Sequence, residues 1–198
     1  MHGGGPQLTG KTKNERYDDM YPVIPAVRRN EELSAALDSP SETIFLLKSS
    51  IFDLPDALKA AHRADKKLFV HADFTDGVSR DVHGIGFLRT IGCDGIISTR
   101  ANLVKYASDA KLFSVGRYFL IDSRATDTAL ESISQTHPSM IEIMPGVIPK
   151  VITRFASGTD IPVIAGGLIE SEREVRAAIE AGAAAVSTSR TELWNIFR

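Results

Sequence analysis

Two short segments near the end of the chain have the residue types and spacing for anion chemistry: Ile164-Ala165-Gly166-Gly167-Leu168-Ile169 and Ala185-Val186-Ser187-Thr188-Ser189. Paired glycines let a backbone approach a ligand closely, and hydroxyls with free N–H groups at a following helix start suit a negative charge. Gly166, Gly167, Ser187, Thr188 and Ser189 therefore form a candidate phosphate site. A second set, Lys48, His71, Asp73, Asp122 and Glu142, stands at or near the ends of apolar runs. Charged groups beside an apolar interior are costly unless they are paired or meet ligand or water. Collected at one end of a fold, they describe a polar pocket. Arg28, Arg100 and Arg117 lie beside the same runs.

Each residue also has a purely structural use. His71 can bond a neighbouring carboxylate, Asp73 and Asp122 can cap helices, and Glu142 can pair with Lys48. The glycine pair can serve a tight turn and the hydroxyls a helix start. A catalytic reading, an isomerase or lyase acting on a small phosphorylated metabolite, would use His71 or Glu142 as general base and Lys48 as electrophile or charge stabiliser. The chain contains no nucleophile elbow, P-loop or dinucleotide fingerprint. His71 and Asp73 are of ligand type, but the dense His/Cys spacing of a zinc centre is missing. No catalytic residue, cofactor or metal site is assigned.

The elements that must position these residues alternate regularly. Strands are expected at Val23–Val27, Thr43–Leu47, Leu68–Asp73, Gly95–Thr99, Arg117–Asp122, Met140–Met144, Pro162–Ala165 and Ala184–Thr188. Their near-continuous apolar runs suit strands covered on both faces. Between them fall helical patterns: Asn30 (as N-cap) to Leu37, Asp53 onward with Leu54, Ala57, Leu58 and Ala61 on one face, Ser79–Arg89 with Val82, Ile85 and Leu88 inward, Ala101–Ala110, Thr126–Ile133, and a stretch from Ile148 to Phe155. Ser171/Glu174 and Ser189/Glu192 have capping-box spacing and open the last two. Within strand six, alternation turns Ile141 and Ile143 to the helices and Glu142 and Met144 to the axis. Eight strand–helix units of about twenty residues describe a compact single-domain (β/α)8 barrel of the TIM type, with phosphate-type segments on units seven and eight. A doubly wound open sheet shares the local alternation and stays open as the alternative.

The chain has 198 residues, enough for one domain with a sizeable core. Hydrophobic residues at 43% and charged residues at 24% exclude a largely disordered chain. No apolar run is long enough for a membrane span, and the first residues lack the apolar centre of a signal peptide, so a cytoplasmic protein is expected. Residues 1–21 read as a flexible tail and 22–198 as the barrel domain. The single Cys93 excludes an intramolecular disulfide and reads as a buried structural thiol. A net charge of −2 gives no global electrostatic signature of nucleic-acid binding.

Taken together, Val23-Ile24-Pro25-Ala26-Val27-Arg28, Phe69-Val70-His71-Ala72-Asp73, Asp94-Gly95-Ile96-Ile97-Ser98-Thr99-Arg100, Phe119-Leu120-Ile121-Asp122-Ser123, Ile141-Glu142-Ile143-Met144-Pro145-Gly146, Pro162 to Ile169 and Val186-Ser187-Thr188-Ser189 resemble the glycerol-3-phosphate-responsive antiterminator family. The resemblance spans about Tyr21 to Phe197. It implies a barrel, not an enzyme, that senses glycerol 3-phosphate and acts on leader mRNA to prevent premature termination. It places the ligand phosphate at Gly166, Gly167, Ser187, Thr188 and Ser189, and the polar wall at Lys48, His71, Asp73, Asp122 and Glu142. Arg28, Arg29 and Arg100 become the candidates for RNA contact, and a homo-oligomer is compatible with the resemblance.

Overall fold

The computed structural model describes residues 21–197. Eight parallel strands close into a barrel: β1 Val23–Val27, β2 Thr43–Leu46, β3 Lys67–His71, β4 Gly95–Ser98, β5 Phe113–Phe119, β6 Met140–Met144, β7 Val163–Gly166 and β8 Ala185–Thr188, with β1 paired to both β2 and β8. Closure selects the barrel over the open sheet. Among the described residues seven α-helices cover it: α1 Leu33–Leu37, α2 Leu54–Arg63, α3 Val82–Thr90, α4 Ala101–Asp109, α5 Ser123–Thr136, α6 Pro149–Gly158 and α7 Glu172–Glu180. Two short strands, Ser49–Ser50 and Thr75–Asp76, pair above the ends of β2 and β3 and tie those two loops together.

Strand alternation divides the apolar residues into two layers. Ile24, Phe45, Phe69, Ile97, Val115 and Ile164 fill the barrel axis, while their neighbours face the helices. Phe69 lies 5.9 Å from Phe45 and 4.9 Å from Phe113, ring to ring. A Cβ on Gly95 would stand 3.0 Å from the Phe69 ring, so the glycine gives that ring its place. Burying each such aromatic side chain stabilises the fold by about 1.5–3 kcal/mol.

Several boundaries differ from the sequence reading, each for a local reason. The segment read as a tail lies outside the described residues except Tyr21, whose hydroxyl accepts the Phe197 N–H at 3.1 Å and so belongs to the domain. Asn30 is inside a 3-10 turn, Asn30–Glu32, rather than ahead of a helix. Asp53 precedes α2, but its carboxylate accepts from the Ser50 N–H and Oγ at 2.6 and 3.0 Å. α3 starts three residues late because Asp81 caps it through the His83 and Gly84 N–H groups, and Val82 is left 53% exposed. The capping box of Ser171 and Glu174 is present at α7. The one expected at Ser189 is not: a 3-10 turn, Thr191–Leu193, follows Arg190 with no side-chain cap, and buried Trp194 anchors it by donating to the Thr188 carbonyl at 2.9 Å.

Candidate functional site at the barrel mouth

Strand six does what its alternation predicts. Ile141 and Ile143 pack against the helices, and Glu142 enters the barrel with no exposed surface. Arg117 is directly opposite Glu142 in the β5–β6 register, and its Nε donates to Glu142 Oε2 at 2.5 Å. Ser187 Oγ donates to Oε1 of the same carboxylate. A Cβ on Gly166 would overlap both Glu142 Oε1 and Ser187 Oγ. The glycine thus opens room for a buried network of Arg117, Glu142 and Ser187, in which an ion pair escapes isolation because its oxygens are hydrogen-bonded.

A second network closes the ends of β3 and β4. The strand stops at His71, and a 3-10 turn, Ala72–Phe74, carries Asp73 back over the sheet. Asp73 is buried and accepts from Ser98 Oγ at 3.0 Å and from the Thr99 N–H at 2.9 Å, with Arg100 Nε 3.1 Å away. His71 is 1% exposed, and neither ring nitrogen has a hydrogen-bond partner among the described residues. Its Nδ1 lies 3.4 Å from Asp73 Oδ2 without the alignment of a hydrogen bond. Burial, helped by the Arg117 charge and opposed by Asp73, pushes the imidazole pKa down to about 4. The ring is therefore neutral at pH 7, with one donor and one acceptor free. Phe74 covers it at 4.7 Å between centroids.

Two hollows adjoin at this end of the barrel and share Arg28, Leu47 and Arg117. One, about 360 Å3, is walled by His71, Asp73, Phe74, Lys48 and Arg80. The other, about 280 Å3, lies under the loops after β7 and β8, where Gly167, Leu168, Ser189, Arg190 and Glu170 meet Glu142, Ser187 and Thr188. Gly167 and Leu168 both take left-handed backbone, with φ of 75° and 62°. For the non-glycine Leu168 this is strain of the kind concentrated at binding sites. Among the described residues Arg28 and Lys48 hold no side-chain hydrogen bond or ion pair, whereas Arg190 is bound to Glu170 and Arg100 to Asp73. Arg28 and Lys48 bring cationic charge to the mouth, beside the exposed Asp76 carboxylate that lines the first hollow, and Arg28 alone of the three also lines the second.

The candidate residues divide accordingly. Gly167, Ser187, Thr188 and Ser189 line the second hollow and Lys48, His71 and Asp73 the first, with Glu142 on the floor. Gly166 is packed beneath the site. The Ser187 hydroxyl is committed to Glu142 and that of Thr188 to the Ile169 carbonyl at 2.9 Å. Asp122 falls elsewhere: it is exposed, caps α5 through the Ala125 N–H at 2.7 Å, and borders a separate groove outside β5. Glu142 pairs with Arg117 and not with Lys48, which is exposed. Of the RNA candidates, Arg28 faces the mouth, Arg29 is paired to Glu32 at 3.0 Å, and Arg100 is held by Asp73. Among the described residues no three His, Cys, Asp or Glu side chains gather as a metal set, and no helix is long and apolar enough to cross a membrane. Cys93 is buried, donates to the Gly95 carbonyl at 3.0 Å, and has its pKa raised to about 12, chiefly by burial.

Arg117 is the residue that the sequence reading left out of the site. Starting the fifth strand at Arg117 put it at the amino end; the strand begins four residues earlier, at Phe113. Period-two alternation of Phe113, Val115 and Arg117 was the signal, and it points the arginine into the barrel near its carboxyl end. Arg80 and Arg190 were also missed, since both lie on loops where no periodicity reports direction.

The geometry has close parallels. A crystal structure named as the glycerol uptake operon antiterminator regulatory protein from Listeria monocytogenes str. 4b F2365 superposes with a TM-score of 0.83 at 37% identity, covering 87% of this chain and 94% of that one. A glycerol uptake operon antiterminator-related protein from Thermotoga maritima MSB8 gives 0.79 at 31%, covering 88% and 98%. The uncharacterized protein YgcP of Escherichia coli (strain K12) is 37% identical over 176 residues, 88% of this chain and 92% of YgcP. Residues 23–194 match the family described as glycerol-3-phosphate responsive antiterminator, and the chain belongs to that family.

Proposed function

We propose that this chain is a sensor of glycerol 3-phosphate that, when loaded, binds the leader mRNA of glycerol-utilisation genes and prevents premature termination of transcription. The observation that carries the reading is the pair of adjoining hollows joined through Arg28 and Arg117 in a member of this family. The loops of Gly167–Leu168 and Ser189–Arg190, with Arg28, take the phosphate. Neutral His71, with one donor and one acceptor free, reads the glycerol hydroxyls. A glycerol hydroxyl bonded to the orphaned imidazole satisfies a buried group that inorganic phosphate in the neighbouring hollow leaves unpaired, which gives selectivity over inorganic phosphate.

Two of the three groups named for the catalytic alternative are not posed for it. Both Glu142 oxygens are occupied, by Arg117 and Ser187, and Lys48 is exposed at the rim, so neither is posed as base or electrophile. Ligand acts by binding the RNA-competent state more tightly than the other. The test is read-through of the terminator in a glycerol-utilisation leader, in a purified transcription system. Read-through is expected to rise only when both the chain and glycerol 3-phosphate are present, and unchanged read-through contradicts the reading.

A further inference from the structure

Exposed apolar side chains are not scattered over this molecule. Among the described residues the large ones are Phe52, Phe74, Val82, Phe87, Phe119, Ile121, Ile148 and Leu168. All but Phe87, on the outer face of α3, stand at the carboxyl end of a barrel strand, in the loop that follows one or at the first helical residue beyond, on the same end as the two hollows. Phe52 is 87% exposed, Phe74 58% and Phe119 58%, on the loops after β2 and β3 and at the end of β5. Seven of the eight exposed large apolar side chains thus gather on the face that carries the pocket, which marks an interaction surface.

We infer that this rim is the RNA-contacting surface, with Phe52, Phe74 and Phe119 as stacking platforms for unpaired bases and Lys48 and Arg124 as contacts to the phosphates. The inference rests on the RNA reading proposed above and adds where the RNA lies. Two features favour a single strand of RNA over a protein partner. The three rings stand on separate loops and none stacks on another, whereas a protein interface has a contiguous apolar core depleted of charge. Lys48 lines the hollow that Phe74 walls and Arg124 the groove that Phe119 borders, both exposed and without side-chain hydrogen bonds or ion pairs among the described residues. Aromatic faces alternating with free cations are the arrangement that single-stranded nucleic acid uses, and it needs no basic net charge.

The same rim touches the ligand pocket. Phe74 packs against His71 with its ring tilted by 54° while more than half of it stays exposed, and Arg100 reaches Asp73 from the rim. Ligand bound at His71 therefore sets the position of a base platform, which is the differential contact that ligand-dependent RNA binding requires.

The experiment uses the same leader transcript as the read-through assay, substituted with 4-thiouridine, photocrosslinked to the full chain in glycerol 3-phosphate and mapped by mass spectrometry. Crosslinks are expected on peptides holding Phe52, Phe74 or Phe119. Phe52→Ala/Phe119→Ala, which leaves the ligand pocket intact, is expected to weaken RNA binding at least tenfold with unchanged glycerol 3-phosphate affinity. Lys48→Gln and Arg124→Gln are each expected to lower the slope of log affinity against log salt by about 0.7. RNA bound with crosslinks elsewhere and with full affinity in the double variant overturns this surface while the RNA reading stands. No RNA binding by the wild-type chain overturns that reading as well. Self-association of the chain that the double variant abolishes, with RNA affinity unchanged, assigns the rim to a second copy and overturns the inference.

Discussion

Arg117 and Glu142 face each other across adjacent barrel strands, with Nε donating to Oε2 at 2.5 Å and both side chains nearly or wholly out of solvent. Arg117 lines both hollows of the mouth as well as the groove outside β5, so one buried ion pair fixes the cation that the two halves of the pocket share. Removing one partner of such a pair leaves an uncompensated buried charge. Arg117→Met is expected to destabilise the fold by about 3–5 kcal/mol, and Arg117→Met/Glu142→Met to recover much of that loss. Urea unfolding of the two single variants and the double variant checks this, and three equal losses would contradict it.

Gly166 is required for the space it leaves. Gly166→Ala places a Cβ against Glu142 Oε1 and Ser187 Oγ, which belong to a carboxylate and hydroxyl held by their own partners. Overpacking of this kind costs about 1–3 kcal/mol, and a correspondingly lower urea midpoint is the expected outcome. A variant as stable as wild type would mean that the network yields easily and that the glycine has another purpose.

His71 makes stability pH-dependent. Its folded pKa, about 4, lies below the unfolded value of 6.5, so the unfolded chain binds the proton first as pH falls. The contribution is fully present above pH 6.5 and is lost progressively as pH drops toward 4. Comparing unfolding free energies of wild type and His71→Gln across this window should show a shallower decline in the variant. Parallel profiles would remove His71 as the cause.

The pocket residues should separate by function in ligand titrations. Arg28→Ala and Arg190→Ala are expected to weaken glycerol 3-phosphate binding at least tenfold, since both line the hollow assigned to the phosphate. Asp122→Ala is expected to leave affinity unchanged and to lower helix stability, because its carboxylate caps α5. Loss of affinity in Asp122→Ala would return that residue to the ligand wall.

What the sequence made legible follows from what periodicity can encode. Eight apolar runs twenty residues apart specify the strand–helix alternation, which barrel and open sheet share until closure decides, and in β6 the charge at Glu142 among Met140, Ile141, Ile143 and Met144 specifies which way it points. The partner of Glu142 was not legible, because pairing depends on register between strands and the start of β5 is blurred by Ser114 and Gly116. The expected strand Leu68–Asp73 ends on Asp73, yet this residue reaches the pocket from a 3-10 turn that no alternation announces. The hydroxyls of β8 were legible as a cluster, but their division into the Glu142 bond of Ser187, the Ile169 bond of Thr188 and the open position of Ser189 depends on three-dimensional neighbours. Loop cations such as Arg80 carry no directional signal in sequence at all.

On the proposed reading the barrel mouth recognises a phosphate and the polyol attached to it as one ligand. Isothermal titration of the full chain with glycerol 3-phosphate, inorganic phosphate and glycerol separates that reading from simple anion binding. One glycerol 3-phosphate per chain is expected, bound at least tenfold more tightly than inorganic phosphate, with no heat from glycerol. Equal affinity for glycerol 3-phosphate and inorganic phosphate, or no binding of either, would contradict it.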